Sequence, residues 1–285
     1  MISVKPLGAH FAAEIRHVDI TRPVDDATWK EIRAAFDEHS VLLFRGTPLD
    51  DEQQIAFSLR FGPLEVTKSM NPAAGTPFAR QSNLAIKTGE VIPSDDRRMI
   101  YQLANMLWHS DSSFKPVPSL CSLLSARIVP PEGGATEFAS GRAAYPSLPE
   151  AMKRRVEGLT VVHDFSWSRD QVRPGFFTAE ERAVYPPVRH PLVRTNPANG
   201  RKALFLGAHA SHIDGMPLDE GRALLKELLA HVSQPEFCYR HEWTVNELIV
   251  WDNRCVLHRA TPYDAVRYKR FMQRTTIGGD PSEVR

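Results

Sequence analysis

Trp108-His109-Ser110-Asp111-Ser112-Ser113-Phe114 is the stretch around which the rest of the sequence is best understood. On an extended strand side chains alternate, so His109 and Asp111 would project to the same side. An imidazole and a carboxylate placed in this way can bind adjacent positions on one metal ion. A second histidine would complete a 2-His-1-carboxylate face, which leaves positions open on non-haem Fe(II). The spacing alone is a weak indicator, because it recurs at His17-Val18-Asp19 and His212-Ile213-Asp214.

A candidate for the second histidine lies near the C-terminus, in Val250-Trp-Asp-Asn-Arg-Cys-Val-Leu-His258. A buried strand is predicted to end at 251–253, with a turn before His258. A histidine in such a place is more often a packed core residue than a ligand. Cys255 and His258 also form a Cys-x-x-His pair, but a structural zinc site needs four ligands and no second pair lies nearby.

Two arginines accompany the last predicted strand, 271–277. Alternation places Arg270, Met272 and Arg274 on one face of that strand. Neighbouring arginines repel, so an interior pair requires anions opposite it. Because guanidinium binds carboxylate bidentately, the pair favours a dicarboxylate co-substrate. The alternative is that both side chains point to solvent.

Bulk properties indicate a globular protein with ample apolar residues for a core. The chain has 285 residues and a formal net charge of +1, so nothing favours nucleic acid or an anionic membrane as partner. The three cysteines, Cys121, Cys238 and Cys255, are far apart and are expected to be reduced. With no signal-peptide pattern and no apolar run of transmembrane length, the expected location is the cytoplasm.

Many short strands and a few helices predict one mainly β domain with flanking helices (α+β) over 1–285, of sandwich or barrel type. Helices are predicted after caps at Asp25 or Asp26 and at Asp50 or Asp51. Further helices are predicted over 142–145, 149–158 and 218–232. Strands are predicted over 2–4, 13–20, 40–44, 120–129, 188–195, 202–206, 236–242, 247–251 and 271–277, with a turn at Asn199-Gly200.

Two polar stretches interrupt this pattern. Residues 65–102 are rich in polar residues and contain Pro and Gly, and a loop of such length is typical of an active-site lid. Lys68 and Asn71 within it are candidate substrate contacts, with solvated loop residues as the alternative. Residues 166–187 are interpreted as a second, polar insertion.

Several motifs taken in order resemble those of a known family. They are Trp108-His-Ser-Asp111, Gly133-Gly-Ala-Thr136, Trp251-Asp-Asn-Arg254 with His258-Arg259, and Arg270 with Arg274. Together they resemble the taurine dioxygenase-like Fe(II)/2-oxoglutarate-dependent dioxygenases. Over 102–114, 207–212 and 251–259 the sequence is most similar to the 2,4-dichlorophenoxyacetate dioxygenase branch. The resemblance runs from about Phe44 to Ile277.

The resemblance implies a double-stranded β-helix (jelly-roll) core. It implies Fe(II) held by His109, Asp111 and His258, with O2 and 2-oxoglutarate as co-substrates. Arg270 would bind the distal carboxylate of 2-oxoglutarate. The interval from His258 to Arg270 is one residue longer than in that branch, so Lys269 is the alternative anchor.

The resemblance also implies further contacts to the 2-oxoglutarate co-substrate and to the substrate. Thr136 would hydrogen-bond the 2-oxoglutarate carboxylate, and Asn105 would contact co-substrate or substrate. Arg274 would hold a substrate carboxylate or brace the co-substrate. The other residues expected at the substrate site are His209, His212 and Lys68.

The implied reaction is hydroxylation of the carbon next to the ether oxygen of an aryloxyalkanoate, which releases a phenol and an oxoacid such as glyoxylate. The substrate would be a small aromatic anion, and a homo-oligomer is expected by analogy. A sulfonate such as taurine, or another small carboxylate, would satisfy the same arginine electrostatics. The rival classes are a non-catalytic metal-binding jelly roll and a zinc hydrolase using the same ligands.

Overall fold

The computed structural model describes residues 1–67, 73–85 and 87–283. Its strands are β1 (Ser3–Pro6), β2 (Ala13–Arg16), β3 (Val41–Phe44), β4 (Phe78–Ser82), β5 (Cys121–Ile128), β6 (Thr136–Ser140), β7 (Thr160–His163), β8 (Val188–Pro191), β9 (Val193–Thr195), β10 (Lys202–Leu204), β11 (Ala210–Ile213), β12 (Cys238–His241), β13 (Leu248–Asp252), β14 (Val256–Ala260) and β15 (Phe271–Ile277).

The helices are α1 (Asp26–His39), α2 (Asp51–Leu59), α3 (Arg97–Leu103), α4 (Gly141–Ser147), α5 (Glu150–Val156), α6 (Phe165–Asp170), α7 (Ala179–Ala183) and α8 (Leu218–Val232), with short 3-10 helices at Ala104–Met106, Pro235–Phe237 and Pro281–Glu283. No helix formed by the described residues is both long and apolar enough to cross a membrane.

The largest sheet has seven strands in the order β1-β2-β3-β13-β5-β15-β4. Its central strands are buried, and β13 pairs antiparallel with both β3 and β5. β15 lies between β5 and β4, which places Arg274 opposite Leu124 on one side and Ala79 on the other. The arginine is therefore carried on an interior strand rather than at a sheet edge.

Three smaller sheets have the orders β12-β6-β14, β11-β7-β8 and β10-β9. In the first, β6 pairs with β14 so that Phe138 lies opposite His258 and Thr136 opposite Ala260. This pairing brings two of the predicted site residues, Thr136 and His258, onto adjacent strands of one small sheet.

A hydrophobic cluster joins the large sheet to the β12-β6-β14 sheet. It combines Leu124, Trp251 and Met272 from the large sheet with Phe138 and Val256 from the small one. The Phe138 and Trp251 rings lie 5.7 Å apart. The two sheets are therefore packed on each other, while α1 and α2 cover the large sheet and α4 and α8 cover the smaller sheets.

Most of the predicted elements are confirmed. Asp25 and Asp50 cap α1 and α2 through their side chains, and α8 has the predicted bounds. The β9–β10 hairpin forms around Asn199-Gly200. The second N-terminal strand is shorter than predicted and ends at Arg16, because His17 has a φ of 63°. The mixed α and β composition agrees with the predicted fold class.

The interpretation of 65–102 as unbroken loop is wrong. The segment contains β4, which is an edge strand of the large sheet, and most of α3. The stretch 166–187 similarly contains most of α6 and all of α7. β7 and β14 were not predicted as strands. The predicted turn forms at 253–255, and His258 lies just beyond it, within β14. β4 reads Phe-Ala-Arg-Gln-Ser, and such a short strand has too few apolar positions to stand out.

Candidate metal centre and its two cavities

The backbone places His109 directly beside His258. The two residues form an antiparallel bridge in which the N–H of each donates to the carbonyl of the other, at 3.1 and 2.8 Å. Asp111 follows two residues later, where the chain enters a turn. One donor atom from each of these three buried residues lies within 4.8 Å of the other two. The sequence-predicted trio therefore converges.

The histidine rings present their Nε2 atoms to the carboxylate. His109 Nε2 lies 3.9 Å from Asp111 Oδ1, and His258 Nε2 lies 3.8 Å from Asp111 Oδ2. His109 Nδ1 donates to the carbonyl of Leu107 at 2.8 Å, which assigns the hydrogen to Nδ1 and leaves Nε2 with a lone pair. Burial lowers the pKa of both histidines. Both rings are therefore neutral near pH 7, the form that ligates metals.

A buried network orients the Asp111 carboxylate. Ser122 Oγ donates to Oδ2 at 2.7 Å, and the Arg274 guanidinium forms an ion pair with Oδ1. Asn253 receives a hydrogen bond from the Asp111 backbone N–H and donates to Ser122. Burial raises the pKa of Asp111, but Arg274 and the two histidines outweigh it, so the pKa lies below its ordinary value. Asp111 is thus held ionised and in one orientation.

Gly207 lets a second chain segment approach the centre. Its φ is +124°, and a Cβ atom there would lie 3.0 Å from the Trp108 carbonyl and 3.2 Å from His109 Cα. The next residue, Ala208, donates its N–H to that carbonyl at 2.7 Å. This contact brings His209 alongside His109, with ring centroids 6.2 Å apart.

Two cavities meet at the trio. The first, here called the arginine cavity, is lined by residues that include Gln81, Asn105, His109, Leu124, Thr136, Trp251, His258, Tyr263, Arg270 and Arg274. The second, here called the aromatic cavity, is lined by residues that include Gln81, Tyr101, Asn105, His109, Asp111, Phe114, Phe165, Arg169, Phe177, Tyr185, His209 and Arg274. Both share His109, so a metal ion held by the trio would face both spaces.

Arg270 provides the charge of the arginine cavity. It is 7% exposed, and its guanidinium donates to the Gly134 carbonyl at 3.3 Å. Among residues 1–67, 73–85 and 87–283, no carboxylate is paired with it. Burial lowers its pKa to about 10, so Arg270 remains charged at neutral pH. A buried cation without an acidic partner favours a bound anion.

Two polar residues predicted for the site, Thr136 and Asn105, also line the arginine cavity. Thr136 Oγ1 accepts a hydrogen bond from Trp243 Nε1 at 2.9 Å, so its own hydroxyl hydrogen can be donated into the cavity. Asn105 lines both cavities, and its Nδ2 donates to Gln81 Oε1 at 2.8 Å. Lys269, the alternative anchor, does not line the cavity, whereas Arg270 does.

His209, which was predicted for the substrate site, lines the aromatic cavity. Its ring stacks on Phe165 at 5.8 Å and meets Phe114 edge-on at 4.9 Å. Burial, followed by the charge of Arg169, holds the pKa of His209 well below its ordinary value. His209 is therefore a neutral side chain in the wall of this cavity.

Other predicted residues are not brought to the centre. His212 lies on β11, where its Nδ1 is 2.9 Å from Ser211 Oγ, and it lines neither cavity. Lys68 and Asn71 lie outside the described residues. Asp214 is paired with Arg189, and Cys255 contacts Ser40, so neither His212-Ile213-Asp214 nor Cys255 contributes to the cluster.

Comparison with known proteins identifies the family to which this chain belongs. The model of the family described as "Taurine catabolism dioxygenase TauD, TfdA family" matches residues 3–276. The chain belongs to this family. It is 44% identical over 281 residues to an alpha-ketoglutarate-dependent 2,4-dichlorophenoxyacetate dioxygenase of Cupriavidus pinatubonensis, covering 97% of this chain and 98% of the relative.

Further TauD/TfdA relatives agree with this match. A (S)-phenoxypropionate/alpha-ketoglutarate-dioxygenase of Sphingobium herbicidovorans is 38% identical, with 98% of this chain and 96% of the relative covered. The crystal structure of AAD-2 in complex with Mn(II) and N-oxalylglycine superposes with a TM-score of 0.91 at 40% identity, covering 98% and 97% of the two chains.

Sequence reasoning missed several residues of the centre. Ser122 and Asn253 orient Asp111, and Trp243 orients Thr136. Single serine, asparagine and tryptophan residues in strands or turns carry no spacing signal that reveals such contacts. Arg169 was also missed because 166–187 was interpreted as polar. The aromatic residues at 165, 167, 176, 177 and 185 were the signal that this stretch is partly buried.

Proposed function

We propose that this protein is an Fe(II)- and 2-oxoglutarate-dependent oxygenase that cleaves aryloxyalkanoates such as 2,4-dichlorophenoxyacetate. One observation carries the proposal: a buried His-Asp-His trio lies where two cavities meet, one aromatic and one containing a buried arginine that no carboxylate of the described residues pairs with. One cavity suits a dicarboxylate co-substrate and the other an aromatic substrate. The relatives named above act on compounds of this kind.

His109, Asp111 and His258 would hold Fe(II). The donor set fits, since both imidazoles are neutral and the carboxylate is ionised, and a facial trio leaves positions open for co-substrates. When bound, Fe(II) supplies the oxygen chemistry, which couples oxidative decarboxylation of 2-oxoglutarate to hydroxylation of the substrate. Ser122 and Asn253 keep the Asp111 carboxylate oriented, a contribution that outer hydrogen bonds commonly make to metal affinity.

Arg270 would bind the distal carboxylate of 2-oxoglutarate. Its fork-shaped guanidinium matches a carboxylate bidentately, and the Thr136 hydroxyl adds a third donor. Asn105, between the two cavities, would contact co-substrate or substrate. Arg274 adds a charge beside Asp111 and would brace the centre or contact a bound carboxylate.

On the other side, the aromatic cavity would hold the aryl ring, with the carbon next to the ether oxygen turned to the metal. Hydroxylation of that carbon gives a hemiacetal, whose collapse releases the phenol and an oxoacid such as glyoxylate. Holding the substrate in one orientation is what the protein contributes to selecting this carbon.

The rest of the architecture belongs to the same proposal. The core would be a double-stranded β-helix, supported by the large sheet packed on the β12-β6-β14 sheet, within one domain over 1–285. Segments 65–102 and 166–187 would cover the substrate, since Thr67, Tyr101, Phe177 and Tyr185 line the aromatic cavity. The free thiols of the three cysteines support a cytoplasmic location. A homo-oligomer stays a prediction.

The test begins with anaerobic titration of the protein with Fe(II) and 2-oxoglutarate, following the weak visible charge-transfer band of the chelate. Oxygen is then admitted with phenoxyacetate, and phenol and succinate are assayed together. A band followed by coupled phenol release supports the proposal. Slow succinate without phenol, with sulfite release from taurine, would replace the substrate class by sulfonates. Iron binding without any band would refute the role of Arg270.

A further inference from the structure

Arg169 is a buried cation in the aromatic cavity that no sequence motif singles out. It lies on α6 and is 8% exposed. Its guanidinium carbon lies 4.7 Å from the centroid of the Tyr101 ring and 4.6 Å from that of Phe165. The two aromatic rings therefore hold a positive charge inside the cavity rather than at its rim.

The hydrogen-bonding capacity of Arg169 is mostly unused. Its Nη1 donates to Ser168 Oγ at 3.0 Å, while the buried Nε makes no hydrogen bond to any described residue. Within the part of the chain that the structure describes, no carboxylate is ion-paired with it. Guanidinium has five N–H donors, and burying them without acceptors is unfavourable.

The other cations in this cavity wall do not share this property. Lys115 is paired with Glu65 at 2.6 Å, and Arg274 is paired with Asp111. The remaining acid in the described wall, Glu181, is itself paired with Arg97 at 2.6 Å. Of the described lysine and arginine residues lining the aromatic cavity, Arg169 is the one without a carboxylate.

A second unpartnered polar atom lies in the same wall. His209 is 3% exposed, and its Nδ1 has no hydrogen-bond partner in the part of the chain that the structure describes. Both His209 and Arg169 contact Phe165, His209 by ring stacking and Arg169 through its cation. Within the described residues, the wall thus combines a guanidinium without a carboxylate partner, an imidazole nitrogen without a hydrogen bond and several aromatic rings.

We infer that Arg169 binds the carboxylate of an aromatic acid substrate and so sets the preference of this site for aryl acids over neutral aryl ethers. The inference rests on the proposed function, because it identifies the anchor of that substrate. It differs from the expectation that Arg274 or Lys68 holds the substrate carboxylate. Arg274 already has Asp111 as its anion, whereas Arg169 has none among the residues that the structure describes.

The experiment compares an acid with its uncharged analogue. Phenoxyacetate and phenoxyacetamide are titrated by anaerobic calorimetry into protein loaded with Fe(II) and 2-oxoglutarate. The variants are Arg169→Gln, which keeps a planar polar end without the charge, and Arg169→Lys, which keeps the charge. The control is Arg173→Gln, an exposed arginine one turn further along, which makes the same change in net charge.

A charge-assisted contact predicts that Arg169→Gln weakens phenoxyacetate binding about 10- to 100-fold. Phenoxyacetamide binding and the Kd for 2-oxoglutarate should change less than about threefold, which is well below one hydrogen bond to a charged group. Arg169→Lys should recover part of the loss, and Arg173→Gln should match the wild type. Equal weakening of both ligands, or of neither, would overturn the inference, because a purely structural cation between rings has no preference for the acid.

The outcomes also separate the inference from the proposed function. If phenol is released but Arg169→Gln leaves the KM for phenoxyacetate unchanged, the anchor is wrong and the function stands. If phenoxyacetate binds through Arg169 but no phenol forms, the reaction is wrong and the anchor stands. Thermal unfolding of each variant shows whether a loss of binding reflects a loss of folded protein.

Discussion

Replacing Arg270 by methionine is expected to remove most of the affinity for 2-oxoglutarate. The side chain is buried, is charged at neutral pH, and has the Gly134 carbonyl as its hydrogen-bond partner within the described chain. Its remaining donors are therefore available to a bound carboxylate. Methionine fills similar space without the charge, so the change tests the ion pair more than the packing.

The size of the effect follows from burial. Leu124 and Trp251 help to line the cavity, so a carboxylate without Arg270 would lie in a largely apolar environment. Removing one member of a buried, hydrogen-bonded charge pair typically costs about 2–5 kcal/mol. At about 1.4 kcal/mol per tenfold, the Kd for 2-oxoglutarate should rise at least about 30-fold.

The assay is anaerobic titration of Fe(II)-loaded protein with 2-oxoglutarate, with equilibrium dialysis of iron alongside. Iron affinity should be retained in Arg270→Met, because the arginine is not among the trio. The matched control is Lys269→Met, which removes the neighbouring charge and should leave the Kd within about twofold of the wild type, less than a single charged hydrogen bond. A larger effect of Lys269→Met than of Arg270→Met would refute the reasoning and make Lys269 the anchor.

Three further predictions concern the surroundings of the trio. Asn253→Ala leaves several buried hydrogen-bond partners unsatisfied and should lower the free energy of unfolding by about 2–4 kcal/mol, measured by urea denaturation. The same variant should bind iron about 10- to 100-fold more weakly. Unchanged iron affinity would contradict the role of Asn253 in orienting Asp111. Gly207→Ala should destabilise by about 1–3 kcal/mol, because an alanine at this positive φ presses on His109, and a neutral result would show that the backbone shifts freely. Burial lowers the pKa of His163 from 6.5 to about 3. Between pH 6.5 and about 3, His163 is therefore protonated in the unfolded chain but neutral in the folded one. The free energy of unfolding should fall as the pH falls through this range, by up to about 1.4 kcal/mol per pH unit. His163→Phe should flatten the pH dependence of the urea midpoint over this range, and an unchanged slope would contradict the assignment.

The trio could be predicted because its chemistry and order along the chain are distinctive. His-x-Asp occurs at three places, and the family motifs selected His109 over His17 and His212. The structure shows why the His109-x-Asp111 motif meets His258: the antiparallel bridge between His109 and His258 places their two rings side by side. That pairing is long-range, so no local pattern predicts it.

The walls of the cavities were less predictable. Arg169 lies in a stretch whose polar residues suggested solvent, yet its neighbours Phe165 and Tyr101 bury it. His212 shares a short motif with His209, but strand alternation and a register shift within β11 direct the two side chains differently. Side-chain direction in short strands depends on partners that a single sequence does not reveal.

The measurement that tests the central claim most directly is turnover of phenoxyacetate under 18O2, with mass spectrometry of the products. Hydroxylation of the carbon next to the ether oxygen leaves that oxygen in the phenol. We therefore expect unlabelled phenol in equal amount to succinate, and one 18O atom in each succinate. Phenol that carries 18O, or succinate formed without phenol, would contradict ether cleavage by this route.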